Sequence, residues 1–146
     1  MREIAVNLKK LDERATLPTF GTSLSAGADL YALSEAHIAP GQTVMIGTGI
    51  ALAVPDGYAA FVYARSGLAT KRALAPANKV GVIDADYRGE ILVALRNEGD
   101  TAQTVSAGER IAQLVIAPVV RPLFCIVEEL DETARGAGGF GSTGEK

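Results

Sequence analysis

Two carboxylates and a tyrosine lie close together between two apolar runs, and these residue types are well suited to chemistry. Asp84, Asp86 and Tyr87 belong to a polar stretch that ends at Gly89. β-Branched residues precede the stretch and apolar residues follow it, which predicts a β-hairpin with turn residues at its tip. Strands hold side chains in defined positions, so a carboxylate at this tip could act as an acid or base on a bound ligand. A plain surface hairpin is the alternative.

Three residues that suit phosphate follow a predicted strand. Arg65, Ser66 and Gly67 come directly before the one predicted helix, residues 68–75, which Ser66 would cap and Pro76 would end. In that arrangement backbone N–H groups, a hydroxyl and a guanidinium converge at a helix N-terminus, where phosphate binds well. A capping serine beside a surface arginine is the simpler interpretation.

An amide and a carboxylate elsewhere in the chain each have two possible roles. Gln113 falls on the same face of a predicted strand as Ile111 and Val115, so its amide either contacts a ligand or bonds to the backbone. Asp29 follows a run of small residues and either caps a turn or faces a metal ion. The only histidine, His37, is predicted to lie on the surface, and no Ser/His/Asp relay or His/Glu metal cluster is signalled.

The composition becomes acidic and then glycine-rich after residue 127. We predict a β-rich domain over residues 1–127 and a flexible arm over residues 128–146, because glycine at this density does not join a packed core. When extended, the arm is long enough to reach another subunit. Arg135 and Phe140 would suit pairing with a terminal phosphate and stacking on a base. A disordered terminus is the alternative.

The length, net charge and hydrophobic content are typical of a single globular domain without a strongly basic face. The chain has 146 residues, a formal net charge of −3 and 48% hydrophobic residues, so it can bury a core of its own. The acidic balance argues against nucleic acid as a partner, and no leader or long apolar run indicates secretion or a membrane. The single cysteine, Cys125, lies in an apolar run and is predicted to be a buried thiol, with a cytoplasmic location as the simplest expectation.

Alternating apolar residues and closely spaced turn signals predict an all-β fold. Strands are expected near residues 4–8, 29–32, 44–54, 58–64, 92–96 and 110–120. Since only one short helix accompanies them, the pattern favours a jelly roll or a β-barrel-like sandwich, followed by the glycine-rich C-terminal arm.

Five short blocks, taken together, resemble the trimeric deoxyuridine triphosphate nucleotidohydrolase (dUTPase) family. Each block is a weak signal alone, but the five occur in order and span nearly the whole chain. They are AGADLYA at 26–32, RSGLA at 65–69, GVIDADYRG at 81–89, GERIAQL at 108–114 and RGAGGFGSTG at 135–144. One departure is Ala64, where the resemblance leads us to expect proline, and it removes no functional group.

The resemblance implies an enzyme that cleaves dUTP to dUMP and pyrophosphate with Mg²⁺, removing dUTP and supplying dUMP for thymidylate synthesis. It implies a jelly-roll homotrimer whose active sites are shared between subunits. In such a site one subunit supplies the phosphate motifs, a second the polar turn and a third the arm.

The resemblance also implies a role for each matching residue. Asp84 resembles the base that activates the attacking water, Tyr87 resembles the residue whose ring lies under the deoxyribose, and Asp29 resembles the residue that holds hydrated magnesium through water. Arg65, Ser66, Gln113 and Arg135 are expected to act in catalysis with Asp84. The residues implied to contact uracil are Asn78, Val82, Ile83 and Leu92. Those implied to contact the phosphates are Arg65, Ser66, Gly67 and Gln113. The arm residues implied to close over the nucleotide are Arg135, Phe140, Gly141 and Ser142.

Two other functions fit parts of the same pattern. A dCTP deaminase on a related fold would need an acid or base at C4 of the base, whereas Asp84 lies in the dUTPase context and the glycine-rich arm is present. A non-catalytic β-barrel that binds a nucleotide or a protein as a regulator is the second. The joint presence of Asp84, Arg65 and Arg135 argues against that alternative.

Overall fold

A computed structural model describes residues 3–139 of the chain, and β-strands make up most of its regular structure. The single helix in these residues is α1, Ser66–Arg72. The strands are β1 Asn7–Lys10, β2 Thr19–Phe20, β3 Ala28–Tyr31, β4 Ala36–Ile38, β5 Thr43–Ala53, β6 Tyr58–Tyr63, β7 Leu74–Pro76, β8 Val80–Ile83, β9 Glu90–Asn97, β10 Gln103–Val105 and β11 Arg110–Pro118.

The strands form two main sheets and one small one, and every pairing is antiparallel. The four-stranded sheet has the order β1-β5-β9-β7, and the five-stranded sheet has the order β2-β3-β11-β6-β8. Strands β10 and β4 pair separately. Neighbours in a sheet are mostly distant in sequence, so the chain crosses repeatedly between the two sheets, as it does in a β-sandwich.

Apolar side chains from the two main sheets meet to form the core. Ile50 and Leu95 come from the four-stranded sheet, Leu30 and Ile111 come from the five-stranded sheet, and each is at most 1% exposed. Leu68 packs against the same core and so attaches α1 to it. Burying an aliphatic side chain of this size contributes about 1.5–3 kcal/mol, so the core holds the sheets and the elements at their edges in place.

The polar turn at residues 84–89 is not the tip of a β-hairpin, and that prediction is wrong. Strand β8, before the turn, pairs with β6 in the five-stranded sheet. Strand β9, after the turn, pairs with β5 and β7 in the four-stranded sheet. The turn chemistry was correctly located, but it connects two sheets, because each flanking strand finds its partner far away in sequence.

The helix also differs from its prediction in position and in capping. It begins at Ser66, and its N-cap is Arg65, which makes no side-chain capping bond. It ends at Arg72 because Ala73 adopts a left-handed conformation with φ 51°, and the Ala73 N–H donates to the Leu68 carbonyl. Pro76 therefore does not end the helix; it lies in β7.

Strand β5 contains a bulge opposite the start of β9. Gly47 pairs with Leu92 and Ala51 pairs with Glu90, so three residues of β5 oppose one residue of β9. Gly49, within the bulge, has φ 69°. An added Cβ there would lie 2.8 Å from the Ala15 Cβ, so both the backbone conformation and the packing require glycine.

The last strand ends at Pro118, and residues 119–139 contain no helix or strand. Cys125 is exposed, so the prediction of a buried thiol is wrong within this single chain. The reason is that the apolar run around it pairs with no strand among residues 3–139. No helix within residues 3–139 has the length and hydrophobicity needed to cross a membrane. Phe140, Gly141 and Ser142 lie outside the described residues.

Candidate active site

A cleft of about 300 Å³ lies beside the polar turn, between the ends of strands that belong to different sheets. We call it the turn cleft, and its volume falls in the range of ligand pockets. It contains six of the residues predicted from the sequence: Asn78, Val82, Ile83, Asp84, Tyr87 and Leu92. The other lining residues are Met45, Val62, Pro76, Gly81, Glu90, Ile91, Val93 and Ala94.

The polar turn is closed by hydrogen bonds within itself. The Tyr87 N–H donates to the Asp84 carbonyl over 3.2 Å. The Arg88 guanidinium donates to the carbonyls of Ala85, at 2.7 Å, and Tyr87, at 2.9 Å. These bonds fix the backbone between the two carboxylates and the tyrosine, so the side chains start from a defined framework.

The Tyr87 side chain folds back over the turn. Its hydroxyl donates to the Glu90 carbonyl over 3.0 Å. An added Cβ on Gly89 would overlap that hydroxyl, so the ring occupies space that any other residue at this position would fill. A side chain at position 89 would therefore have to displace the ring.

Asp84 is exposed at the edge of the turn cleft. Within residues 3–139 its carboxylate accepts no hydrogen bond and forms no ion pair. Its oxygens are therefore free to accept hydrogen bonds from water and ligand.

A second pocket, of about 390 Å³, lies beside the N-terminus of α1 and is rich in polar groups. We call it the arginine pocket. It contains five predicted residues, Asp29, Arg65, Ser66, Gly67 and Gln113. The remaining lining residues are Gly21, Ser25, Ala26, Gly27 and Arg110. The two cavities have no lining residue in common.

Asp29 joins two arginines in this pocket. One carboxylate oxygen accepts from Arg65 Nε at 2.7 Å, and the other accepts from Arg110 Nη1 at 3.3 Å. The Asp29 side chain is only 15% exposed, so the contact with Arg65 is partly shielded from water. The pairing holds the Arg65 guanidinium at the pocket wall, where its planar fork suits an anionic oxygen.

Gln113 satisfies the backbone and lies at the pocket at the same time. Its amide nitrogen donates to the Ala64 carbonyl over 2.8 Å. An added Cβ on Gly27 would lie 2.7 Å from its amide oxygen, so the small residue at 27 makes room for that oxygen. Both roles that the sequence left open are therefore compatible with its position.

Ser66 and Gly67 occupy the first turn of α1, where N–H groups lack partners inside the helix. Arg135 lies in neither cavity, and its Nε donates to the Gly138 carbonyl over 2.8 Å. In residues 3–139 no three His, Cys, Asp or Glu side chains form a cluster that could hold a metal ion.

Two charged residues that line these cavities, Arg110 and Glu90, were not predicted from the sequence. Arg110 lies three positions before the predicted site residue Gln113 in the block at 108–114, and that proximity was a usable signal. Glu90 carried no such signal, because its contact with β5 joins residues 41 positions apart.

An all-β sandwich with a carboxylate at one cleft and paired arginines at another has the features of a protein that binds a phosphorylated small molecule. The sequence profile of the dUTPase family matches residues 13–144. The chain belongs to the dUTPase family, and the resemblance that the five blocks indicated is confirmed.

Similar proteins cover nearly the whole chain. The deoxyuridine 5'-triphosphate nucleotidohydrolase of Desulfitobacterium hafniense is 51% identical and covers 97% of this chain and 96% of its own length. The protein of that name from Syntrophotalea carbinolica is 49% identical, with 99% of each chain covered. Each alignment covers nearly the full length of this chain and of the relative, so the proteins are similar as wholes.

Solved structures agree on the fold. The dUTPase of Staphylococcus bacteriophage 80alpha with dUpNHpp has a TM-score of 0.91 at 28% identity, covering 97% of this chain and 99% of that one. A mutant dUTPase from phage phi11 of S. aureus, described with a structural Mg(II) ion, has a TM-score of 0.80 at 25% identity, with 86% and 98% covered. The predicted all-β, jelly-roll-like fold with one short helix is confirmed.

Proposed function

We propose that this chain hydrolyses dUTP to dUMP and pyrophosphate, by attack of water at the α-phosphorus. The observation that carries the proposal is the exposed, unpaired carboxylate of Asp84 at the edge of the turn cleft, in a member of the dUTPase family. We also propose a cytoplasmic location, since the substrate belongs to the free nucleotides and the chain has a single cysteine.

The base is bound in the turn cleft. The backbone of Val82 and Ile83, with Asn78 opposite, offers N–H and C=O groups that can read the edge of uracil. Cytosine presents the reverse donor and acceptor pattern and would leave buried polar groups unpaired. Leu92 adds an apolar wall. A methyl group in an apolar slot changes affinity by only about 1–3 kcal/mol, so rejection of thymine must be steric.

The sugar lies against Tyr87. The ring is held over Gly89 by the hydroxyl bond to Glu90, so its plane is set before a ligand arrives. A deoxyribose on that plane leaves no room for a 2′-hydroxyl. Because the Tyr87 ring is already held in place, it can select against ribonucleotides with little loss of side-chain entropy on binding.

The phosphates are bound by the arginine pocket and the arm. Arg65, held by Asp29, presents its guanidinium, and Ser66 and Gly67 present a hydroxyl and N–H groups. Gln113 adds an amide from β11. Arg135 is proposed to reach the terminal phosphate from the arm, while Phe140, Gly141 and Ser142 close over the nucleotide.

Asp84 acts as the general base. Its carboxylate accepts a hydrogen bond from a water molecule, orients one lone pair of that water towards the α-phosphorus and takes the proton as the bond forms. Pyrophosphate leaves on the opposite side. Arg65, Ser66 and Gln113 stabilise the charge that develops on the phosphate oxygens, since positioning and electrostatics supply most of the catalysis in phosphoryl chemistry.

Mg²⁺ is the proposed cofactor, and the residues fit a metal held mainly by the substrate. Asp29 uses both oxygens for arginines, but a carboxylate has about four lone-pair sites, so it can still accept from a metal-bound water. When bound, Mg²⁺ neutralises phosphate charge and fixes the geometry of the triphosphate.

The active unit is proposed to be a homotrimer with shared sites. The turn cleft and the arginine pocket share no lining residue, yet one dUTP molecule must contact both. That requirement is met if the arginine pocket of one subunit faces the turn cleft of another. The arrangement follows the closed symmetry that is usual for homo-oligomers.

The segment after β11 supports the same proposal. Val120, Leu123, Phe124 and Ile126 are each at least 88% exposed in the single chain. Four large apolar side chains within seven positions form a surface that ordinarily marks a protein contact. We propose that this segment packs on a neighbouring subunit and leads the arm, residues 128–146, to a site on another subunit.

The direct test measures pyrophosphate release from dUTP, UTP, dTTP and dCTP, with and without Mg²⁺. We expect rapid release from dUTP alone. Ammonia release from dCTP would instead indicate a deaminase, and absence of turnover would indicate a non-catalytic protein. Asp84→Asn is expected to keep most of the affinity for dUTP and to lower kcat by orders of magnitude, since it removes the base and little of the shape.

Mixed trimers test the shared site. Asp84→Asn and Arg65→Ala are each expected to be nearly inactive alone. After co-refolding in equal amounts, about a quarter of shared sites would combine an intact Asp84 with an intact Arg65 from another subunit, and activity would return in proportion. If both groups came from one subunit, no mixed site would carry both, and activity would stay absent.

A further inference from the structure

We propose that Glu90 is a positioning residue that sets the sugar specificity of the site by holding Tyr87 in place. This inference rests on the proposed function, because it assigns the Tyr87 ring to the deoxyribose. Glu90 touches no reacting atom. It acts through two contacts, one from its side chain to the bulge of β5 and one from its carbonyl to the Tyr87 hydroxyl.

The first contact anchors Glu90 to the bulge. The shift of register between Gly47 and Ala51 breaks the regular ladder, so backbone groups there need other partners. The Gly49 N–H donates to Glu90 Oε1 over 2.8 Å in a partly buried position. The neighbouring Thr48 hydroxyl donates to the Ile91 carbonyl over 2.7 Å. The bulge therefore holds the first two residues of β9 from the side.

The Glu90 carboxylate fits beside β5 because residue 47 is glycine. A Cβ added at Gly47 would lie 2.6 Å from Glu90 Oε1, closer than real Cβ contacts. Gly49 is left-handed and packed against Ala15, so its N–H cannot turn to another acceptor without moving the core. Glycine at position 47 therefore leaves the space that the Glu90 carboxylate occupies beside the Gly49 N–H.

The second contact links the position of Glu90 to that of the Tyr87 ring. The Glu90 carbonyl accepts the Tyr87 hydroxyl, and the ring lies over Gly89. If the start of β9 shifts, the acceptor for the hydroxyl shifts with it. Tyr87 is 44% exposed, and within residues 3–139 the bond to Glu90 is the one hydrogen bond that its hydroxyl makes.

A purely structural role for Glu90 makes a different prediction. If Glu90 only satisfied the bulge, its removal would lower stability and would scale the activity on all substrates alike. If it positions Tyr87, its removal would also permit a 2′-hydroxyl. The ratio of kcat/KM for dUTP to kcat/KM for UTP separates these cases, because a uniform loss of folded enzyme cancels in the ratio.

The experiment compares Glu90→Ala with Glu90→Gln, which retains an oxygen acceptor for the Gly49 N–H. We expect Glu90→Ala to lower the dUTP-to-UTP ratio about tenfold, the usual effect of losing one anchored hydrogen bond. Glu90→Gln should restore the ratio to within about twofold. Glu35→Ala, which removes a glutamate from an exposed pair with His37, is the matched control and should leave the ratio unchanged.

Two further variants keep the test decisive. Gly47→Ala displaces the carboxylate without deleting it and should lower the ratio like Glu90→Ala, including where Glu90→Ala fails to fold. In a Tyr87→Phe background, which lacks the hydroxyl, Glu90→Ala should have little further effect on the ratio.

An unchanged ratio in both Glu90→Ala and Gly47→Ala would overturn the inference, and so would an equal fall with and without the Tyr87 hydroxyl. These outcomes differ from failure of the proposed function, in which the unmodified protein would release no pyrophosphate from dUTP.

Discussion

Replacing Asn97 with alanine tests whether one buried amide holds β9, β4 and the turn after β9 together. Asn97 is 0% exposed at the end of β9. Its side-chain nitrogen donates to the carbonyls of Ile38, at 3.0 Å, and Thr101, at 2.8 Å. Its oxygen accepts from the Gly99 N–H at 2.9 Å. One side chain thus connects β9, β4 and the turn that follows β9.

The expected loss of stability follows from where each partner lies. The Ile38 carbonyl is buried, so leaving it unpaired costs about 1–3 kcal/mol. The bonds to Thr101 and Gly99 are only partly buried, and water can replace them in part, at about 0.5–1.5 kcal/mol each. We therefore expect Asn97→Ala to lower the free energy of unfolding by about 3 kcal/mol, at the upper end of what single substitutions do.

Urea unfolding followed by far-ultraviolet circular dichroism measures the change, at one fixed protein concentration because the proposed trimer makes stability depend on concentration. Asn7→Ala, on the exposed strand β1, is the matched control and should change stability by less than about 0.5 kcal/mol. A loss below about 1 kcal/mol for Asn97→Ala would refute the reasoning, because it would mean that the buried carbonyl is satisfied without the amide.

Two other substitutions have expected outcomes of different kinds. Gly27→Ala would place a Cβ 2.7 Å from the Gln113 amide oxygen, so we expect kcat/KM for dUTP to fall about tenfold while the dUTP-to-UTP ratio holds, as steady-state kinetics on both nucleotides would report. A change in the ratio would contradict the assignment of Gln113 to the phosphates. Ala73 has a left-handed φ of 51°, and replacing it with glycine removes a strain of about 1–2 kcal/mol from the folded state. Glycine also raises the entropy of the unfolded chain, which offsets about 0.4–1 kcal/mol of that gain. We therefore expect the free energy of unfolding of Ala73→Gly to rise by about 0.5–1 kcal/mol. Destabilisation in the same urea assay would show that the Ala73 methyl group contributes packing.

The fold class could be predicted, and eleven residues predicted for the site line one of the two cavities, because their sequence signals are local. Runs of β-branched, aromatic and small residues mark strands such as β5 and β6, and clusters of turn residues mark their ends. Five short blocks in the right order were enough to identify the dUTPase family from the sequence. Those blocks also contained Asp84, which lies at the turn cleft, and Arg65, which lies at the arginine pocket.

Errors arose where a local pattern had a distant cause. The polar turn looked like a hairpin because its flanks are β-prone, yet β8 and β9 belong to different sheets. Propensity does not specify the partner of a strand, since pairing is decided by which faces bury together. Cys125 lies in an apolar run but is exposed, because that run pairs with no strand in the part of the chain that the structure describes.

The sequence by itself determined which residue types were available for chemistry, where the chain turns and which stretches prefer an extended backbone, since these depend on neighbours a few positions away. Only the tertiary structure decided that Asp29 pairs with arginines 36 and 81 positions away, and that Glu90 enters a bulge made by glycines of another strand. Such contacts form because burial of the two sheets against each other brings distant backbones together, and each polar group then bonds to whatever partner that packing leaves within reach.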